Sequence, residues 1–514
     1  MINNNISSNK RIARNTLSLY IRMALVLVIT LFSTRVILKS LGTEDYGIYT
    51  IVCGFVSLFS FLNSSLSSSI NRYLNYALGE NDSHRVTAVF NTALLIQIII
   101  AFLLFVLIEL VGIWYINEKL VIPLGRLSTA KRIFQFSVLS LVLTLLQAPF
   151  LSAVLAYERM SFYAIISILD AVFRLAIAFL IQFSSDDKLY VYGLLMAAIS
   201  IFNFLAYFLY SRFSFRTIRL RIHFDKFLFR SMLSFSGWSV LNPVAYTARS
   251  QGCNVLLNFY GGPLINAAYT IANQVASALD SFSMSISVAF RPQLIQSYSA
   301  NCFHRTNSLC TMMSKLMYAM ILLVSIPLYL DTDYIIHLWL GENVPDYTIR
   351  FTSIILLVKL IDSLNPAITN TILATGKIRQ YMVWSSIIIS SVLPLSFLAL
   401  KSGLNFDVVF FLMLVLTAIN QVVSVFCLIK SFPGFSSNYY LRGVVLPCIC
   451  YTGLVIPIPI ILHLIIKTPL YRILVVSITS IVLSVALGYF FLLHREDRAR
   501  IKSYFYRGYE RQIL

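Results

Sequence analysis

The chain has 514 residues, 58% of them hydrophobic and only 12% charged, with a formal net charge of +19 at pH 7. Soluble domains carry about 45–50% apolar and about 25% charged residues, so this composition excludes one. The positive excess is not a nucleic-acid signature, because no recognition motif accompanies it. In chain order, fourteen apolar runs appear at about 15–38, 46–70, 86–114, 133–156, 161–183, 189–211, 231–258, 264–290, 309–330, 349–373, 381–400, 406–429, 443–466 and 470–493. Each is close to the ~20 residues a helix needs to cross the hydrocarbon core. Helices rather than barrel strands follow, since a lone helix satisfies its own backbone groups in lipid. The expected fold is all-α, polytopic and membrane-embedded. The first run contains Arg22 and Arg35 and is too long for a signal-peptide core, so it is expected to stay as a span.

The charge distribution orients the chain. With the N-terminus on the cytoplasmic side, nearly all of the +19 lies on the inside. It sits before the first run, in the linker RFSFRTIRLRIHFDKFLFR (212–230), in short inner loops and in the tail HREDRARIKSYFYRGYER (494–511). That is the positive-inside pattern, and an even number of spans puts both termini in the cytoplasm. The seven cysteines are odd in number and mostly within spans, with neither metal spacing nor a disulfide framework, so they are expected as small core residues.

An internal repeat organises the runs. Tyr49, Thr50, Ile51, Ser57, Ser65, Ser67, Leu74, Asn81, His84 and Arg85 each meet the same residue 220 positions later, and Arg159 meets Arg379. This offset joins spans 1–6 to spans 7–12. Six is even, so the copies are parallel, and such paired bundles enclose a site near the membrane midplane. The expected organisation is a six-helix lobe at 1–211, the basic linker at 212–230, a second lobe at 231–431, two further helices at 432–493 and a basic tail at 494–514. LGTEDYGIYT (41–50) becomes the outer turn between spans 1 and 2, and YGGPLINAAYT (260–270) its counterpart between spans 7 and 8. The glycines allow the positive φ of a tight reversal. Thr43 is placed to cap span 2, with Glu44 and Asp45 at the positive end of its dipole. Tyr46 and Tyr49 are expected at headgroup level.

The motif LG-x-x-x-YG-x-Y (Leu41, Gly42, Tyr46, Gly47, Tyr49), the polar NRYLNYALGEND (71–82) and ATGKIRQY (374–381) sit in a 6+6+2 arrangement of spans. Together they resemble the polysaccharide-repeat-unit (O-antigen, Wzx-type) flippases of the multidrug/oligosaccharidyl-lipid/polysaccharide (MOP) exporter superfamily. The resemblance implies a MATE-like pair of lobes in a bacterial cytoplasmic membrane, needing no cofactor. Its implied cargo is a polyprenyl-diphosphate-linked oligosaccharide, moved from the inner to the outer leaflet. Membrane lipids, a polysaccharide polymerase and a chain-length protein are the implied partners.

Charges within spans are costly and therefore functional candidates. Here they are Arg22, Arg35, Glu109, Asp170, Arg174, Arg249, Asp280, Lys359 and Asp362. Asp170 and Arg174 are spaced i, i+4 and Lys359 and Asp362 i, i+3, so each pair can neutralise itself on one helix. Arg35 and Glu109 lie near outer span ends, within reach of water. Arg249 lies deep in span 7, and its repeat position is Ile29, seven residues from Arg22. Two turns separate them, so the arginines occupy equivalent helix faces in the two copies. Guanidinium forks match phosphate oxygens, so Arg22, Arg249, Arg35, Arg174 and Lys359 are the substrate-binding candidates. Asp280, Glu109 and Asp170 are the ion-coupling candidates. Asp280 has no charged sequence neighbour and is expected either to pair with Arg249 or to exchange a coupling ion. Prolines 149, 243, 327, 366 and 394 in the lobes, with 447, 457 and 459 in span 13, mark bending points.

Enzymatic readings are weaker. No phosphate-cradling glycine loop or metal cluster appears. Asp331-Thr332-Asp333 falls in an expected outer loop and is read as solvated charge. A membrane-embedded polysaccharide polymerase would need a larger outer loop. The nearer alternative is an ion-coupled multidrug antiporter of the same superfold, whose cavity should be rich in carboxylates.

Overall fold

The computed structural model describes residues 19–491, apart from scattered positions between 20 and 58 and residues 81, 119–123, 185–186, 216–224, 341–343 and 433. Arg35, Thr43, Glu44, Tyr46, residues 216–224 of the basic linker and the C-terminal tail therefore lie outside the described residues. Within them the regular structure is helical, with no strand.

The described positions from 19 to 56 are helical. Then follow α1 (Ser60–Gly79), α2 (Ser83–Glu118), α3 (Leu127–Ala156), α4 (Met160–Leu180), α5 (Lys188–Ser214), α6 (Lys226–Ser239) and α7 (Leu241–Ser299). The chain continues through α8 (Phe303–Leu330), α9 (Thr332–Leu340), α10 (Thr348–Asp362), α11 (Asn365–Thr375), α12 (Arg379–Lys401) and α13 (Asp407–Ser431). The last two runs are α14 (Ser437–Ile465), which includes a π turn at Leu441–Val445, and α15 (Pro469–Phe491). Among the described residues, ten helical runs are long and apolar enough to cross a membrane. They are α2, α3, α4, α5, α8, α10 with α11, α12, α13, α14 and α15. The long α7 is not one of the ten, and polar residues recur along it, including Arg249, Asn254, Asn266, Asn273 and Asp280.

α7 contains the reversal expected at YGGPLINAAYT. Gly262 leaves helical geometry with φ 71 and ψ −173. The Tyr269 hydroxyl donates to the Ser250 carbonyl at 3.0 Å. In a continuous helix these residues would stand roughly 28 Å apart, so the two arms of α7 fold back on each other. Gly262 supplies the positive φ. Gly261 has a different role, since a Cβ there would come within 2.7 Å of Ile265.

The chain separates into two compact units, Met1–Val244 with Arg291–Asn301, and Ala245–Phe290 with Cys302–Leu514. In the first, α6 docks on α1 through serine hydroxyls. Ser65 Oγ donates to Ser236 O at 2.6 Å and Ser69 Oγ to Met232 O at 3.1 Å. One core gathers Val52, Ile108, Ile133 and Leu145, and another gathers Leu74, Val89, Phe90 and Met232. In the second unit Leu257, Ala268, Phe351 and Phe410 form the main core. The helices beyond the repeat attach through α8, where Leu322 and Ile326 pack with Tyr451 and Val455. Cys253, Cys310, Cys427 and Cys448 are buried as small core residues.

Prolines and polar caps punctuate the helices. Pro149, Pro327 and Pro394 lie inside α3, α8 and α12, whereas Pro366 opens α11 after a break at Ser363–Leu364. The break between α6 and α7 falls at Val240, just before Asn242-Pro243. Asp187 caps α5 by accepting from Leu189 N, and Asp225 caps α6 by accepting from Phe227 N and Leu228 N.

Two residues of the first expected outer turn gain tertiary partners, and one expectation about loop chemistry needs correction. Arg126 donates to Asp45 Oδ2 at 2.9 Å and to Asp187 Oδ1 at 3.0 Å, so Asp45 is a tether. Tyr49 packs edge-on against Tyr192, with ring centroids 4.7 Å apart, beside the first core. Asp331 is no solvated loop charge. Its side chain is 0% exposed, paired with the Arg472 guanidinium and 3.5 Å from His463 Nδ1. Asp333 alone matches the solvated reading, at 73% exposure.

Candidate functional site

In the first unit the in-membrane charges gather along α4. Tyr163, Ser167, Asp170 and Arg174 recur at spacings of four, three and four, which places them on one helix face. Arg22 Nη1 donates to the Tyr163 hydroxyl at 3.0 Å and to Ser167 Oγ at 3.4 Å. Its guanidinium also lies 5.0 Å from the Tyr163 ring centroid, within cation–π range. Arg22 Nε is buried without a hydrogen-bond partner, and no described carboxylate forms an ion pair with this arginine. Its charge is thus solvated by hydroxyls and a ring face but not neutralised.

Farther along the same face, Arg174 Nε donates to Asp170 Oδ2 at 2.7 Å and Nη2 to Oδ1 at 3.3 Å. This is the intrahelical pair expected from the spacing. Asn203 on α5 adds a bond to Asp170 Oδ1 at 2.7 Å. Arg174 also borders a cavity of about 300 Å³, lined by Tyr49, Ser137, Ser140, Thr144 and Ser200 among others. Glu109 is held from α3. Its Oε2 accepts from Gln135 Nε2 at 3.0 Å, and Oε1 is buried without a partner.

In the second unit the charges come from separate segments. Lys359 on α10 donates to both oxygens of Asp280, at 2.8 and 2.7 Å, from the second arm of α7. Its i, i+3 neighbour Asp362 is the more distant partner, at 3.8 Å. Lys359 is therefore not simply self-compensated on its own helix, and Asp280 pairs with Lys359 instead of Arg249. Arg249 remains within electrostatic range of Asp280, yet forms no ion pair among the described residues. Its guanidinium lies 4.9 Å from the ring centroid of Tyr246, one turn earlier on the same arm. Below this cluster, Asn365 Oδ1 accepts from Thr369 Oγ1 at 2.6 Å and from the Tyr381 hydroxyl at 3.0 Å.

Sequence reasoning missed Tyr163, Ser167, Asn203 and Tyr246, the neutral groups that hold these charges. A signal existed for three of them. Tyr163 and Ser167 share the face of Asp170, and Tyr246 precedes Arg249 by three residues. Asn203 lies on another helix and left no local trace.

The profile of the family described as polysaccharide biosynthesis protein matches residues 10–298, more than half of the chain. The chain belongs to the polysaccharide biosynthesis protein family. This agrees with the resemblance of the sequence to the polysaccharide flippases of the MOP superfamily. The MatE profile matches residues 241–400. The uncharacterized membrane protein EpsK of Bacillus subtilis (strain 168) is 22% identical over 277 residues, 53% of this chain and 54% of EpsK. The chain thus spans about half the length of that relative. A crystal structure of a MATE mutant aligns with TM-score 0.74 at 9% identity, covering 83% of this chain and 97% of the other. An outward-facing multidrug resistance MATE transporter of the MOP superfamily gives 0.73 at 10% identity, covering 84% and 97%. A MOP transporter from Pyrococcus furiosus, whose pocket is described as reversed in polarity, gives 0.72 at 10% identity with the same coverage. These likenesses establish the MATE fold for this member of the family.

Proposed function

We propose that this transporter flips undecaprenyl-diphosphate-linked oligosaccharide repeat units from the inner to the outer leaflet. Its products would feed O-antigen, capsule or exopolysaccharide synthesis, with a polymerase and a chain-length protein downstream. The observation that carries this reading is the state of two arginines. Arg22 and Arg249 each lie in a run that the sequence leads us to expect as a span, and meet neutral groups, with no carboxylate in an ion pair among the described residues. A guanidinium kept in lipid without a counter-ion favours an anionic cargo, and its fork suits phosphate oxygens. We assign Arg249 and Arg22 to the diphosphate, and assign the protein to the bacterial cytoplasmic membrane with both termini inside. A cation–drug antiporter calls for carboxylates free to receive a cation. Here Asp170 is held by Arg174 and Asp280 by Lys359.

The test is surface polysaccharide at matched protein level. Arg249→Ala should abolish it, and Arg249→Lys should restore only part, because an ammonium lacks the bidentate fork. Full activity of Arg249→Ala would remove this arginine from the site.

A further inference from the structure

A second cavity, unused by the transport reading, opens at one end of α12 and α13. It has a volume of about 250 Å³ and is lined by Lys377, Arg379, Gln380, Tyr381, Lys430 and Ser431 with Cys427. Three of these residues are cations and none is acidic. The backbone builds it deliberately. α11 stops at Gly376, which takes φ 77, and Thr375 Oγ1 accepts from Lys377 N at 3.2 Å. α12 then starts at Arg379, and its first turn, Arg379 to Tyr381, lines the cavity. The last turn of α13, packed beside α12, brings Lys430 and Ser431.

The charge bias of the sequence assigns this end to the cytoplasmic side. Orientation alone needs only cations in water, whereas here they line a cavity. One turn deeper the surface becomes apolar. Trp384 is 55% exposed and Phe426 56% exposed, and Lys430 Nζ lies 4.6 Å from the Phe426 ring centroid. Cations at one level and exposed rings one turn inward match the two levels of a lipid, headgroup and upper acyl chain. A free anion would use only the first. We propose that this cavity binds the phosphate headgroup of an anionic membrane lipid, whose chains lie along Trp384 and Phe426. Basic pockets between helices on the cytoplasmic side take such headgroups.

The experiment uses the full-length protein, delipidated in detergent and exposed to phosphatidylglycerol or phosphatidylcholine, with retained lipid counted by native mass spectrometry. Phosphatidylglycerol should be retained in preference. The triple substitution Lys377→Gln, Arg379→Gln and Lys430→Gln should reduce that preference by roughly tenfold or more. Lys401→Gln, at the opposite end of α12, should leave it unchanged. Trp384→Ala with Phe426→Ala should weaken retention of the lipid. Inorganic phosphate at millimolar concentration should not displace the lipid. Displacement would identify a soluble-anion site and overturn the proposal, as would equal retention of the two lipids or a triple variant that behaves like the parent. The three single substitutions, each expected to remove part of the preference, keep the test decisive if the triple variant does not fold. Lipid retention is read without transport, so failure here is distinct from failure of the flippase reading.

Discussion

The two units place ionised groups among membrane helices in different ways. In the first, Asp170 and Arg174 neutralise each other on a single helix, and the pair exists wherever α4 is helical. In the second, Lys359 takes its nearest partner, Asp280, from a segment 79 residues away. That contact exists only while α10 and the second arm of α7 are docked. A local pair therefore cannot register a rearrangement of helices, whereas a long-range pair can. For this reason Asp280, more than Asp170, is the residue we assign to energy coupling.

The sharpest way to break the comparison is to remove the cation from the most buried long-range pair. Arg472→Met leaves Asp331, with 0% side-chain exposure, facing only His463. Loss of one partner of a buried pair costs about 3–5 kcal/mol. A large fall in thermal unfolding temperature in detergent is expected, recovered in part by adding Asp331→Asn. No measurable fall would show that the pair contributes nothing to holding α15 on α8.

Lys359→Met should cost less, about 1.5–3 kcal/mol for losing a hydrogen bond to a charged group, because the Asp280 side chain is 57% exposed. The double variant Lys359→Met/Asp280→Asn should recover much of that loss. Asp280→Asn alone keeps shape and hydrogen bonding but not charge. In vesicles it should blunt the response of flipping to an imposed ion gradient several-fold. A variant that responds as the parent does would take Asp280 out of coupling.

Arg174→Met, the local and part-buried counterpart, should cost less than Lys359→Met, because Asp170 keeps the hydrogen bond from Asn203. An effect as large as that of Lys359→Met would erase the distinction between the units.

The smallest effect belongs to Asp187, outside the spans. Partial burial would raise its pKa, but the Thr129 hydroxyl and Arg126 outweigh that and hold it below the ordinary 3.8. A depressed carboxylate stabilises the fold fully above 3.8, and its contribution disappears as pH falls through the lower folded value. Between about pH 5 and pH 2, Asp187→Asn should therefore flatten a small part of the acid-induced loss of stability. An unchanged acid limb in that variant would show that Asp187 has no such role.

Much of the site was legible because helices are periodic. The Asp170–Arg174 pair, the turn at Gly262 and the deep placement of Arg249 in α7 all follow from spacing and composition. Asp331 was misread because nothing around Asp331-Thr332-Asp333 announces burial. Its partner Arg472 is 141 residues away. The ring neighbour of Tyr49, Tyr192, belongs to α5 and left no trace near Tyr49 in the sequence.

The amino-acid order by itself determined the class of the molecule, its helices, its internal repeat and its intrahelical ion pair. Each rests on interactions between residues within a turn or two, or on the free energy of moving a whole segment into lipid. Only the tertiary structure decided which carboxylate Lys359 meets, what holds Arg22, and that Asp331 is buried. Those choices depend on which helix faces pack together, and packing joins residues whose separation along the chain carries no periodic signal.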